Sequence, residues 1–143
     1  MRDAGLGRVH WIDPAKLRDR RFHGKVGIDW TLAAVALGGA ENRRPRQPRR
    51  LLEGFIASCA ELAADANALV LTGGETARGI LEHLDVQSLE ILRELSPGIV
   101  VAEAIGRWQG RVVTKSGSFG DPAALTSALS FLRNEERMHE PLE

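Results

Sequence analysis

Two short stretches hold residue types that handle anions: Gly73-Gly74-Glu75-Thr76 and Lys115-Ser116-Gly117-Ser118-Phe119-Gly120. Glycine has no Cβ, so backbone N–H groups can approach a ligand closely, and a helix that follows turns its positive dipole end toward it. Thr76 could offer a hydroxyl to a phosphate, whereas Glu75 also suits the first turn of any helix. In the second stretch Gly117 and Gly120 permit left-handed turns that converge N–H groups into a nest. Lys115 adds a full positive charge and Ser116 a hydroxyl, the donor set a polyphosphate cradle needs. The order GxxxxGK[ST] is not present, so no Walker A loop is claimed. On the residues alone both stretches read equally as tight turns or as anion-binding loops.

Each stretch follows an apolar run and precedes a helical pattern. Ala68-Leu69-Val70-Leu71 is continuously apolar, as a buried parallel strand requires, and Glu75–Leu84 resumes with Ala77, Ile80, Leu81 and Leu84 on one face. Arg111-Val112-Val113-Thr114 reads as a further strand. Asp121 as N-cap and Pro122 at N1 open a last helix with Leu125, Ala128, Leu129 and Leu132 inward. Between them lie a strand at Leu89–Leu92, a Pro97-Gly98 turn and an extended Ile99–Ala104. Strands alternating with helices predict a three-layer, Rossmann-like α/β domain with a mostly parallel sheet. Both glycine loops would leave the carboxyl ends of their strands and share one edge, where ligands of open α/β sheets bind.

The first half of the chain is less regular. Arg8–Ile12 reads as a short strand, Asp13-Pro14 opens a short helix, and Thr31–Leu37 is an apolar run of either type, ended by Gly38-Gly39. Glu41–Arg50 reads as an arginine-rich loop interrupted by Pro45 and Pro48. Leu51, Leu52, Phe55, Ile56, Cys59, Leu62 and Ala63 then recur at helical spacing to about Asp65. Cys59 lies on that apolar stripe and reads as a core residue, not a nucleophile.

Composition narrows the function classes. The 143 residues suit one domain, and 43% hydrophobic residues suffice for a core. Basic and acidic residues balance at 19 each, which removes the electrostatic footprint of a nucleic-acid binder. No apolar run approaches the roughly 20 residues of a membrane span. One cysteine forms no internal disulfide and fits a reducing cytoplasm. His10, His23, His83 and His139 lack metal-ligand spacing, and Trp11, Trp30 and Trp108 read as packing residues.

LVLTGGETARGIL and, about forty residues on, VVTKSGSFGDPAAL together resemble the paired signature of the four-carbon acid sugar kinases, with LEILRELSPGIVV between them also similar. The resemblance is close over residues 68–132 and loose over 1–67, leaving 133–143 as a tail, within one nucleotide-binding domain over 1–143. It implies the C-terminal, ATP-binding part of a kinase acting on a threonate, erythronate or oxo-tetronate. Gly73, Gly74, Glu75 and Thr76 would form one half of the nucleotide site, and Lys115, Ser116, Gly117 and Gly120 the other. Mg2+ would come with the ATP, held largely by phosphate oxygens. The family's substrate domain, with its ADDxTGA-like motif, and the GSxS-like strand end that opens its nucleotide domain are not in this sequence. The expectation is therefore a sheet lacking its first strand, no nameable general base, and inactivity without the substrate domain. A partner chain or self-association would cover the surface left open. Ser118 stands where the family often has glycine. The rival readings are a non-catalytic nucleotide- or anion-binding module acting through a partner chain, and a remnant whose loops are plain turns.

Overall fold

A computed structural model describes residues 9–12, 34–37, 48–117 and 123–139. The chain divides into two compact units, Met1–Ala63 and Ala64–Glu143.

In the first unit, β1 (Val9–Ile12) pairs in parallel with β2 (Ala34–Leu37), Val9 opposite Ala34 and Ile12 opposite Leu37. The apolar run at Thr31–Leu37 is thus a strand over its described part. Helix α1 (Pro48–Ala63) starts three residues before the predicted Leu51. Pro48 does not block it, because the first turn of a helix has no use for the missing N–H. Phe55, Ile56, Cys59 and Ala63 are buried, as the stripe predicts, and Ala60 is buried beside them. Ser58 is buried among them, its hydroxyl donating to the Gly54 carbonyl at 2.9 Å, a bond that removes the cost of a stranded polar group.

The second unit is built on a four-stranded sheet of order β3-β6-β5-β4, with β3 at Ala68–Thr72, β4 at Val86–Ser96, β5 at Ile99–Gly106 and β6 at Gly110–Lys115. β3 and β6 are parallel, Ala68 opposite Arg111 and Thr72 opposite Lys115. β6–β5 and β5–β4 are antiparallel. The sheet is therefore mixed, and the expected mostly parallel arrangement holds for the β3–β6 pair alone. The connections explain the difference. Pro97-Gly98 joins β4 to β5 and Arg107-Trp108-Gln109 joins β5 to β6, and neither has room for the crossover of a dozen or more residues that parallel neighbours need.

β4 is also far longer than the predicted Leu89–Leu92. It is an edge strand and mostly exposed, and its register against β5 shifts three times, leaving Gln87, Leu92 and Leu95 as extra residues. Each extra residue breaks the period-two alternation by which a strand is read from sequence.

Two helices complete the layers. Helix α2 (Gly74–His83) follows β3, and helix α3 (Ala124–His139) follows β6. One face of the sheet presents Ile99, Val101 and Val113 to Ala124, Ala128 and Leu132 of α3, with Ala68, Val70, Leu95 and Phe131 packed around them. Alternation sends Leu69, Leu71, Ala102, Ala104 and Val112 to the opposite face, and the buried stripe of α2 is Ala77, Ile80 and Leu81. Val101, Val112 and Val113 are wholly buried, so the middle of the sheet is its most rigid part. Half-buried Arg111 ties β6 to β5 and to α3, pairing with Glu103 at 3.0 Å and Glu135 at 3.1 Å. Trp108 is a packing residue, its indole N–H donating to the Ala66 carbonyl at 3.2 Å.

Candidate functional site

The β3–β6 pairing sets the geometry. Because these strands are parallel and Thr72 lies opposite Lys115, the segments that follow them leave the sheet side by side. The Gly73 N–H donates to the Lys115 carbonyl at 3.1 Å, bonding one loop to the other. A Cβ built on Gly117 would sit 3.8 Å from Gly73 Cα, so any side chain at Gly117 would touch the first loop.

Gly73 has φ 88° and ψ 123°, a conformation that costs an L-residue about 1–2 kcal/mol. That conformation turns the chain from strand to helix within one residue. The Gly73 carbonyl accepts the Ala77 N–H at 2.9 Å, closing the first turn of α2, and no side chain caps this end. The N–H groups of Gly74, Glu75 and Thr76 make no hydrogen bond among the described residues. Three donors at the positive end of a helix, with no cap, form an arrangement an anion completes. Gly74 is exposed, and nothing lies within 4 Å of where its Cβ would be. No packing in the described structure explains a glycine there.

On the second loop, half-buried Lys115 directs its Nζ to the Ser116 carbonyl at 2.9 Å, an exposed contact. The Ser116 N–H is already used, donating to the Gly98 carbonyl at 3.1 Å. Gly117 does not take a positive φ. The left-handed glycines at this edge are Gly73 and Gly98, φ 88° and 79°. The expected nest with Gly117 as its left-handed residue is thus corrected. The strand end at Lys115 is set by the neighbouring turn, because Gly98 accepts the donor that Ser116 would otherwise present. Gly120, Ser118, Asp121 and Pro122 lie outside the described residues.

Of the predicted set, the structure brings together Gly73, Gly74, Glu75, Thr76, Lys115, Ser116 and Gly117. It adds one element that reads from sequence as a turn alone, Pro97-Gly98. The signal was available: an Ile99–Ala104 strand set antiparallel beside 111–114 carries the turn before it to the end where Lys115 lies. Cys59 is excluded as a nucleophile, since burial raises its thiol from 9.0 to about 12.

The family model described as a nucleotide-binding C-terminal domain matches residues 31–125. A D-threonate kinase from Cupriavidus necator is 41% identical over 63 residues, 42% of this chain but 15% of that protein. A domain of unknown function from Bordetella bronchiseptica, solved with bound citrate as a domain-swapped dimer in two crystal forms, superposes with TM-scores of 0.67 and 0.69 at 23% and 24% identity. Each match covers 91% of this chain and 34% or 35% of that one. A Haemophilus influenzae protein with the same family designation gives 0.65 at 15% identity, over 89% of this chain and 35% of that one. This chain thus spans about a third of the solved chains it resembles. Loops, order of elements and family match converge on one assignment: the chain belongs to the nucleotide-binding C-terminal domain family, as found in the four-carbon acid sugar kinases.

Proposed function

We propose that this chain binds Mg-ATP along the edge formed by Gly73–Thr76 and Lys115–Gly120, as the nucleotide-binding part of a kinase for a four-carbon sugar acid. The observation that carries the reading is the bond from Gly73 N–H to the Lys115 carbonyl, which makes one edge of two loops. The relative named as a D-threonate kinase supports the substrate class: a threonate, erythronate or oxo-tetronate, phosphorylated on an alcohol group.

Phosphoryl transfer is mostly positioning and charge neutralisation, so the residues here have cradle roles. The free amides of Gly74, Glu75 and Thr76 hold phosphate oxygens, the Thr76 hydroxyl adds a donor, and Lys115 leaves the Ser116 carbonyl to meet the β- or γ-phosphate. Mg2+ would be held largely by the nucleotide's phosphate oxygens, with Glu75 the one carboxylate on the described loops, and it would neutralise charge developing on the phosphates. The general base and sugar-acid contacts belong to a substrate domain, so this reading makes the chain inactive by itself, and its use of ATP places it in the cytoplasm. Exposed Ile91, Leu92 and Ile105 on β4 and β5, with the domain-swapped dimer of the Bordetella relative, support a partner chain or second copy.

Calorimetric titration with Mg-ATP, followed by addition of a substrate domain in trans with each sugar acid, tests the reading. Saturable binding and restored phosphorylation are expected. Binding without restored activity would favour a non-catalytic module acting through a partner, and no binding at millimolar nucleotide would remove the reading.

A further inference from the structure

Three loops, not two, meet at this edge, and the third is held by a side chain. Antiparallel pairing sets Ile99 opposite Lys115, so the Pro97-Gly98 turn lies against the start of the 115–117 loop. Proline fixes the first central position of that turn, and Gly98 at φ 79° supplies the positive angle a type II turn needs at the second. The Gly98 carbonyl accepts the Ser116 N–H at 3.1 Å. The Gly98 N–H in turn donates to Glu94 Oε1 at 3.0 Å. Glu94 can reach it because of a bulge: Glu94 pairs with Val100 and Ser96 with Ile99, so Leu95 is extra. Leu95 packs on the α3 side of the sheet while Glu94 reaches back to the turn.

We propose that Glu94 is a positioning residue for the nucleotide edge, acting through Gly98 on Ser116; this rests on the reading of the edge as a nucleotide site. The Lys115 carbonyl and the Ser116 N–H belong to one peptide unit that is held at both ends, the carbonyl accepting from the Gly73 N–H and the N–H donating to the Gly98 carbonyl. In a trans peptide these two groups point in opposite directions, so the two bonds fix the plane from which the 116–117 segment leaves beside Gly73. The loop that must face phosphate is therefore oriented before ligand arrives, and less ordering remains to be done on binding. The Glu94–Gly98 bond is exposed and lies at a turn, so it contributes little to global stability and much more to the placement of Ser116.

The test compares the whole chain with Glu94→Ala and Glu94→Gln, reading three quantities: hydrogen exchange at the Ser116 amide, Mg-ATP affinity, and the thermal midpoint. Alanine removes the acceptor and glutamine keeps it while removing the charge. We expect Glu94→Ala to speed Ser116 exchange and weaken Mg-ATP binding by about two- to tenfold, the worth of one hydrogen bond. The midpoint should stay in place and Glu94→Gln should restore both. Unchanged Ser116 exchange in the alanine variant would overturn the proposal. So would faster exchange with unchanged affinity, or equal weakening by both variants, which would assign the effect to charge. A wild-type chain that binds no Mg-ATP would instead remove the nucleotide reading, and this role with it.

Discussion

Gly74→Ala separates the needs of the fold from those of the ligand. Gly74 is the first residue of α2 and does not take a positive φ, and a Cβ there meets nothing within 4 Å. The added methyl meets no clash and restricts the unfolded chain, a change that stabilises by about 0.4–1 kcal/mol at compatible sites. For a unit of this size that raises the midpoint by about 2–8 °C. If the amides of the first turn hold phosphate, the same methyl occupies the path by which an oxygen reaches them. Losing one charge-assisted amide contact costs about 1.5–3 kcal/mol, or roughly ten- to a hundredfold in affinity. Stability and binding should therefore move in opposite directions. Gly73→Ala is the control: at φ 88° alanine is strained, so it should lower stability by about 1–2 kcal/mol. Thermal unfolding and Mg-ATP calorimetry on the three proteins decide the matter. A Gly74→Ala variant that is as stable as wild type or more so, and binds Mg-ATP equally well, would refute the cradle argument.

Lys115→Ala should leave stability within about 0.5 kcal/mol, since its one described contact is exposed, while weakening Mg-ATP binding by roughly ten- to a hundredfold. Paired unfolding and titration measurements check it. Val113→Ala removes two wholly buried methyl-sized groups from the middle strand and should cost about 2–3 kcal/mol, read as a lower urea midpoint at unchanged slope. Cys59 should resist thiol reagents at pH 8 in the native chain and react fully in denaturant. Its folded pKa of about 12 exceeds the ordinary 9.0, so the stability it contributes is whole below pH 9 and falls as pH rises toward 12, measurable as a declining urea midpoint.

The parts of the fold legible in the sequence are those with a dense local signal. Ala68–Leu71 is an unbroken apolar run, and Val112-Val113 an apolar pair between Arg111 and Thr114, because β3 and β6 are covered on both faces, and the glycines after Thr72 mark where the chain must turn. The stripe from Phe55 to Ala63 gives α1 its buried face, but its first residue does not follow from the stripe. Pro48 is permitted by a rule about the first turn, and nothing apolar marks it. The least legible element is β4. An edge strand has one covered side at most, and three extra residues shift Ser88, Arg93 and Ser96 out of simple alternation, so only Leu89–Leu92 stands out. Sheet direction is hidden for a related reason: alternation of strand and helix says little about a hairpin whose turn is two residues long. At the site, residue types pointed to the loops. That the Ser116 N–H is already taken by Gly98 depends on a pairing between strands and cannot be read from the loop itself.

The central claim is that one edge, built from two glycine loops, receives the phosphates of a nucleotide. Amide-resolved NMR of the whole chain titrated with Mg-ATP tests it most directly. The account predicts saturable shifts concentrated at Gly73, Gly74, Glu75, Thr76, Lys115, Ser116 and Gly117, with β4 residues such as Glu90 and Ile91 unmoved. Shifts confined to other surfaces, or none at millimolar nucleotide, would contradict it.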